Sequence, residues 1–181
     1  MQAADLSSSF FALFDLPVSF DIDLNELSAR FREAQRAVHP DKFANASEAE
    51  RRLSLQLAAR INEAYRVLKN PLLRGRYLLE LQGVDLDDAD TTFDGAFLME
   101  QMELRERLAG IKNSAEPDMQ LHKIADDVAA HSKVLIAQLA KLLDEQSTGS
   151  LQQAREVTRK LQFFQRLNEE VDALEDELDD H

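Results

Sequence analysis

The sequence predicts an all-α protein, with an antiparallel helix pair and shorter flanking helices in its first half and a three-helix bundle in its second. Three observations lead there. Glycine (5) and proline (4) together fall well under the ~12% of ordinary proteins, so turns are few. Apolar residues recur at spacings of three and four over long stretches, the period of a helix with one buried face. No segment shows the strict alternation that marks a strand, and there is no internal repeat.

The first element is a short apolar segment, Phe10, Phe11, Leu13 and Phe14, stopped by Pro17. Asp23 with Glu26 then forms an acidic N-cap pair, followed by the stripe Leu24, Leu27, Phe31, Ala34, Val38. Arg30, Arg32 and Arg36 fall off that stripe, which gives the helix a basic solvent face. Pro40 disfavours helical backbone at His39 and ends the element. After a loop over residues 39–46, Ser47 and Glu50 form a capping box ahead of Leu53, Leu57, Ile61, Ala64 and Leu68. Two amphipathic helices joined by a short loop pack antiparallel to bury their stripes. Asn70-Pro71 reads as an N-cap with proline at the first helical position, opening a shorter helix that runs to Gly83.

Residues 84–94 are acidic and aperiodic, and the sequence places a domain boundary there, between units 1–83 and 95–181. Three helices follow, over about 95–111, 117–145 and 150–178. The second carries Leu121, Ile124, Val128, Leu135, Leu139 and Leu142 on one side. The third carries Leu151, Ala154, Val157, Leu161, Phe164, Val171, Leu174 and Leu178. Short connections between three such helices predict a bundle.

Charge is divided unequally. Residues 1–84 hold eleven acidic and eleven basic side chains, so the whole net charge of −13 belongs to residues 85–181. An acidic surface lacks the positive footprint that phosphate backbones require, which argues against nucleic acid as a partner. No apolar run approaches the ~18 residues needed to span a bilayer, and the first nine residues carry no basic targeting signal. A cytoplasmic protein is expected. The absence of cysteine excludes disulfides, thiolate metal sites, a cysteine nucleophile and the usual ligands of an iron–sulfur cluster.

His39-Pro40-Asp41-Lys42 can be read as a proline-stopped helix end, with His39 favourable near the negative helix terminus. Its setting points further: a helix with exposed bases, then this tripeptide, then a long helix containing Ile61-Asn62-Glu63-Ala64-Tyr65 and Val67-Leu68, then Asn70-Pro71. Over residues 8–76 this resembles a J domain, the module with which co-chaperones stimulate the ATPase of a DnaK-type chaperone. The resemblance implies that His39, Pro40 and Asp41 dock on the chaperone's ATPase domain, with Arg30, Arg32, Arg36 and Lys42 as electrostatic support. Asp41 would accept a charge-assisted hydrogen bond from a partner cation. The opening Phe10-Phe11-Ala12-Leu13-Phe14 departs from the usual Tyr-Tyr start with its following Leu-Gly, and no Gly/Phe-rich linker follows. A specialised co-chaperone is expected rather than a generalist.

In the helix that starts near Gly95, Phe97, Leu108 and Ile111 lie within about 40° of Leu104 at 100° per residue and form the inward stripe with it. Leu98, Met99 and Met102 lie on the far side, bordered by Glu103 and Glu106, and Phe163 in the last helix falls off the stripe of Leu161 and Phe164. Such a patch fits a contact with the first unit, a homodimer seam, or a protein-binding surface for which methionine is suited. Phe97-Leu98-Met99-Glu100-Gln101-Met102-Glu103-Leu104-Arg105-Glu106 and Arg159-Lys160-Leu161-Gln162-Phe163 resemble the C-terminal domain of the HscB family, J-domain co-chaperones of iron–sulfur cluster assembly. The likeness then extends over nearly the whole chain. It implies that Leu98, Met99, Met102, Glu103, Glu106 and Phe163 bind a cluster scaffold of the IscU type for delivery to an HscA-like chaperone. Gly110 stands where the resemblance leads one to expect another acidic residue. The cysteine-based zinc module of eukaryotic relatives is absent, which favours a bacterial-type protein.

Other chemistry has little support. His122 and His131 are about 13 Å apart by helical rise, too far to share a metal. Acid pairs such as Asp126-Asp127 read as solvated, and no nucleophile–base constellation is present. The expected protein is a co-chaperone without catalytic residues, metal or cofactor of its own. The alternative is a helical interaction protein whose second apolar face is a dimer seam.

Overall fold

The computed structural model describes residues 8–43, 46–86 and 95–179. All regular structure among them is helical: α1 (Phe10–Leu13), α2 (Leu24–Ala37), α3 (Glu48–Lys69), α4 (Pro71–Leu81), α5 (Gly95–Gly110), α6 (Pro117–Glu145) and α7 (Thr148–Asp179), with 3₁₀ turns at Pro40–Phe43 and Ile111–Asn113. The chain divides into two compact units, residues 1–82 and 83–181. Most of the proposed boundary segment, residues 87–94, lies outside the described residues.

The helix starts follow their cap chemistry. The Asp23 carboxylate accepts from the Asn25 and Glu26 amides at 2.8 and 3.4 Å. Ser47 Oγ accepts from the Glu50 amide at 3.3 Å while Glu50 Oε2 accepts from the Ser47 amide at 2.8 Å. The Ser47 hydroxyl also donates to Glu50 Oε2 at 2.7 Å, and this bond, followed by that from the Ser47 amide, holds the Glu50 pKa below the ordinary value. Asn70 Oδ1 accepts from the Leu73 amide at 3.1 Å. Each cap satisfies donors that the first helical turn leaves open. α7 begins at Thr148, two residues before the expected start, because Ser147 provides its cap, accepting from the Ser150 amide at 3.0 Å.

In the first unit α2 and α3 are antiparallel. Three cross-helix pairs in descending register fix this: Ser28 with Tyr65 (3.3 Å), Gln35 with Asn62 (3.1 Å) and Val38 with Ser54 (3.0 Å). Leu27 and Ala34 of α2 meet Ile61, Ala64 and Leu68 of α3 in the core, with α1 and α4 packed on α3. Phe31 stacks on Tyr65 with centroids 4.0 Å apart, and Phe10 stacks on Tyr77 at 4.5 Å. Two expected stripe residues face outward: Leu24 sits at the first position of α2, and at the start of α3 Ser54 is buried while Leu53 is exposed. Arg74 is buried with its guanidinium over the Phe20 ring and donates to the Leu68 carbonyl, and burial lowers its pKa.

α1 ends in a Schellman motif: the Leu16 amide donates to the Phe11 carbonyl at 3.0 Å and the Asp15 amide to that of Ala12 at 3.3 Å. The motif places Asp15 at φ 54°, a left-handed backbone that glycine occupies without strain. Asp15→Gly is therefore expected to raise the stability of the first unit by about 0.5–1 kcal/mol, read as a shift of the urea midpoint at unchanged slope.

In the second unit α6 and α7 form a long hairpin, turned through Gln146 at φ 50°. Phe97, Leu104 and Leu108 of α5 close over it against Leu121, Ile124 and Val128 of α6 and Phe163, Phe164 and Leu167 of α7. Polar side-chain contacts run down both sides of α5 and the 3₁₀ turn that follows it, in register. Arg105 meets Glu170 at 3.6 Å and Lys112 meets Glu177, so α5 is parallel to α7. Arg107 meets Asp127 at 3.0 Å and Glu100 meets His131 Nε2 at 2.8 Å, so it is antiparallel to α6. The acidic end of α7 thus has structural partners, and Asp127 is ion-paired rather than merely solvated.

Candidate functional site: a charged turn and an apolar helix face

The first surface is built where α2 stops. Pro40 has no amide hydrogen and starts the 3₁₀ turn, and the Lys42 amide donates to the His39 carbonyl at 3.0 Å. The Asp41 amide donates to His39 Nδ1 at 3.3 Å, and the same nitrogen lies 3.5 Å from Asp41 Oδ2. The two side chains remain open to solvent, 58% for His39 and 91% for Asp41, so the turn is ordered by backbone bonds while its carboxylate points outward. Lys42 is exposed beside it, and Arg32 and Arg36 are exposed on α2, one turn apart and opposite the buried Ala34. Arg30 differs from the expectation: it lies only about 40° from Ala34 around the helix, is half-buried, and pairs with Glu26 at 3.5 Å.

The second surface lies on α5. Leu98, Met99 and Met102 are 43%, 64% and 71% exposed, and Glu103 and Glu106 beside them are exposed as well. Phe163 does not join them on the outside. It is buried, edge-on to Phe97 at 5.7 Å and to Phe164 at 5.3 Å, with the Arg105 guanidinium 5.7 Å above its ring. α7 touches α6 on one side and α5 on the other, so its buried arc is wide enough to take both phenylalanines. Glu103, Glu106, Arg107, Gly110 and Gln120 rim a shallow concavity of about 440 Å³.

His131, expected to be a flanking histidine, joins three helices. From α6 its ring stacks on Phe164 of α7 at 5.2 Å and reaches Glu100 of α5. Its spacing in α6 gives no hint of this, because both partners are distant in sequence. Among the described residues no helix is long and apolar enough to cross a membrane, and no cluster of three or more histidine or carboxylate side chains could hold a metal ion.

Comparison with known proteins agrees with both units. Residues 93–172 match the family model described as the HSCB C-terminal oligomerisation domain. A co-chaperone protein HscB homologue from Shewanella denitrificans is 45% identical over 94% of this chain and 98% of its own length. One from Aliivibrio fischeri is also 45% identical, over 93% and 97%. Among solved structures, the chaperone HscB from Vibrio cholerae superposes with a TM-score of 0.84 at 42% identity, covering 94% of this chain and 99% of that one. The crystal structure of human co-chaperone protein HscB gives 0.87 at 31% identity, covering 97% and 86%. An all-helical chain with an ordered His-Pro-Asp turn, similar over nearly its full length to these proteins, belongs to the HscB family of co-chaperones, with an N-terminal J domain, a C-terminal helical bundle and a role in iron–sulfur cluster assembly.

Proposed function

We propose that the chain stimulates ATP hydrolysis by an HscA-like chaperone of the DnaK type through His39, Pro40, Asp41, Lys42 and the arginines of α2. In the same reading it delivers an IscU-like cluster scaffold held on α5. The observation that carries the proposal is the pairing of a solvent-facing Asp41 carboxylate on an ordered turn with an outward apolar face at Leu98, Met99 and Met102. The carboxylate supplies a charge-assisted bond to a partner cation, with Arg32 and Arg36 steering the approach to an acidic surface. The apolar face, rimmed by Glu103 and Glu106, suits a protein partner whose own rim is basic. Phe163 supports that face from beneath, by fixing Phe97 and the tilt of α5. Hydrolysis takes place in the partner, so the chain needs no catalytic residue, metal or cofactor, and a cytoplasmic site of action goes with this reading.

Retention on immobilised protein tests the pairing of partners. A DnaK-type ATPase and a small cluster scaffold should both be retained from cell extract, and the retention of neither would overturn the reading. The family model's description as an oligomerisation domain favours a second use of the α5 face, as a seam between two copies. If Leu98, Met99 and Met102 serve only that seam, alanine there changes the sedimenting mass and leaves scaffold retention intact.

Gly110 offers a gain-of-function check. It ends α5 with helical backbone, φ −79° and ψ −13°, and a Cβ added there meets nothing within 4 Å. Gly110→Glu extends the row Glu103, Glu106 by one turn. It is expected to tighten scaffold binding by roughly two- to tenfold at low salt, an advantage that titration calorimetry should find reduced at high salt.

A further inference from the structure

On α3, Ser54 is 3% exposed while its neighbours Leu53 and Leu55 are 47% and 61% exposed. A hydroxyl therefore takes the inward position and two leucines the outward ones, the reverse of what burial alone would select. What the hydroxyl meets explains the choice: Ser54 Oγ donates to the backbone carbonyl of Val38 at 3.0 Å, the residue directly before His39. In a continuing helix that carbonyl would accept from the amide four residues on, which is Lys42. The Lys42 amide instead donates to the His39 carbonyl, one residue further along. The buried hydroxyl replaces the donor that the turn has diverted.

We propose that Ser54 is a positioning residue for the His39-Pro40-Asp41 turn, holding the chain at the point where α2 breaks so that the exposed side chains are set before the partner arrives. Without the hydroxyl, the Val38 carbonyl sits buried with no donor, a state that proteins avoid. Relief comes from water entering between α2 and α3 or from the Lys42 amide swinging back to Val38. The second change breaks the bond that closes the turn, and the first loosens the α2–α3 contact that anchors it. Ordering the turn would then fall to the binding event and weaken it. The inference rests on the docking role proposed above for this turn.

The test uses the full chain and a DnaK-type ATPase of the HscA kind. For Ser54→Ala, the concentration giving half-maximal stimulation is expected to rise about five- to tenfold, with the maximal rate within about twofold of the unsubstituted protein. Amide exchange at Lys42 should quicken in the free protein. Asn70→Ala is the control, since it loosens the same unit by removing the α4 cap far from the turn and should leave the half-maximal concentration unchanged. Equal half-maximal concentrations for Ser54→Ala and the unsubstituted chain would overturn the inference alone. Equal losses in the two variants would do the same, because they would mark general loosening. No stimulation by the unsubstituted chain would overturn the docking role and this one with it.

Discussion

Asp41→Asn is expected to lower stimulation of the partner ATPase by one to two orders of magnitude at sub-saturating concentration, with helicity and unfolding midpoint unchanged. The magnitude is that of one charge-assisted hydrogen bond, about 1.5–3 kcal/mol, lost at the docking surface. The fold should not notice. The Asp41 side chain is 91% exposed, its ion-pair partner among the described residues is His39, and the turn is closed by backbone bonds that asparagine keeps. Steady-state ATP hydrolysis against co-chaperone concentration, with circular dichroism alongside, checks both halves of the expectation. Full stimulation by the variant would show that the turn is no more than a helix end.

Replacing Leu98, Met99 and Met102 together by alanine is expected to weaken scaffold binding by about two to three orders of magnitude. Three exposed apolar side chains that become covered by a partner contribute of the order of 3–4 kcal/mol together. The loss should come without a change in melting temperature, since all three point away from the core. Phe163→Ala makes the contrast. Its ring is buried among Phe97, Phe164 and Arg105, so truncation costs about 3–5 kcal/mol of stability in the second unit before any binding is measured. Calorimetric titration with the scaffold, paired with thermal unfolding, separates the two cases. A triple variant that binds normally would remove α5 as the scaffold surface.

Much of the fold was legible because its punctuation is local. Asp23, Ser47 with Glu50, and Asn70-Pro71 are recognisable as caps from two to four residues, and the helix starts obey them. The outward trio on α5 was legible for a similar reason, since it opposes Phe97, Leu104 and Leu108 on a single helix. What escaped depends on a second helix. Leu53 fits the apolar period, yet Ser54 takes the inward place because a carbonyl on α2 needs a donor. Arg30 reads as off the stripe until the width of the α2–α3 contact half-buries it. Phe163 looks like surface when α7 is assigned one partner and becomes core once α5 lies along its other side.

The acidic end of the chain carries the same lesson. As sequence, Glu170 and Glu177 are two of many carboxylates. In the structure they stand opposite Arg105 and Lys112, sixty-five residues away, in a register that sets α5 parallel to α7. Exposed ion pairs of this kind add little stability one at a time. They flank the buried stripe of Phe97, Leu104 and Leu108, whose burial sets which face of α5 turns outward and so which residues a partner meets.

In the proposed function one chain couples a chaperone ATPase to a cluster scaffold through two separate surfaces. Steady-state ATP hydrolysis by an HscA-like chaperone tests it most directly, measured alone, with this protein, with the scaffold, and with both. A clear acceleration is expected with this protein alone and a further, more than additive acceleration when the scaffold is also present. A rate with both that equals the rate without this protein would contradict it.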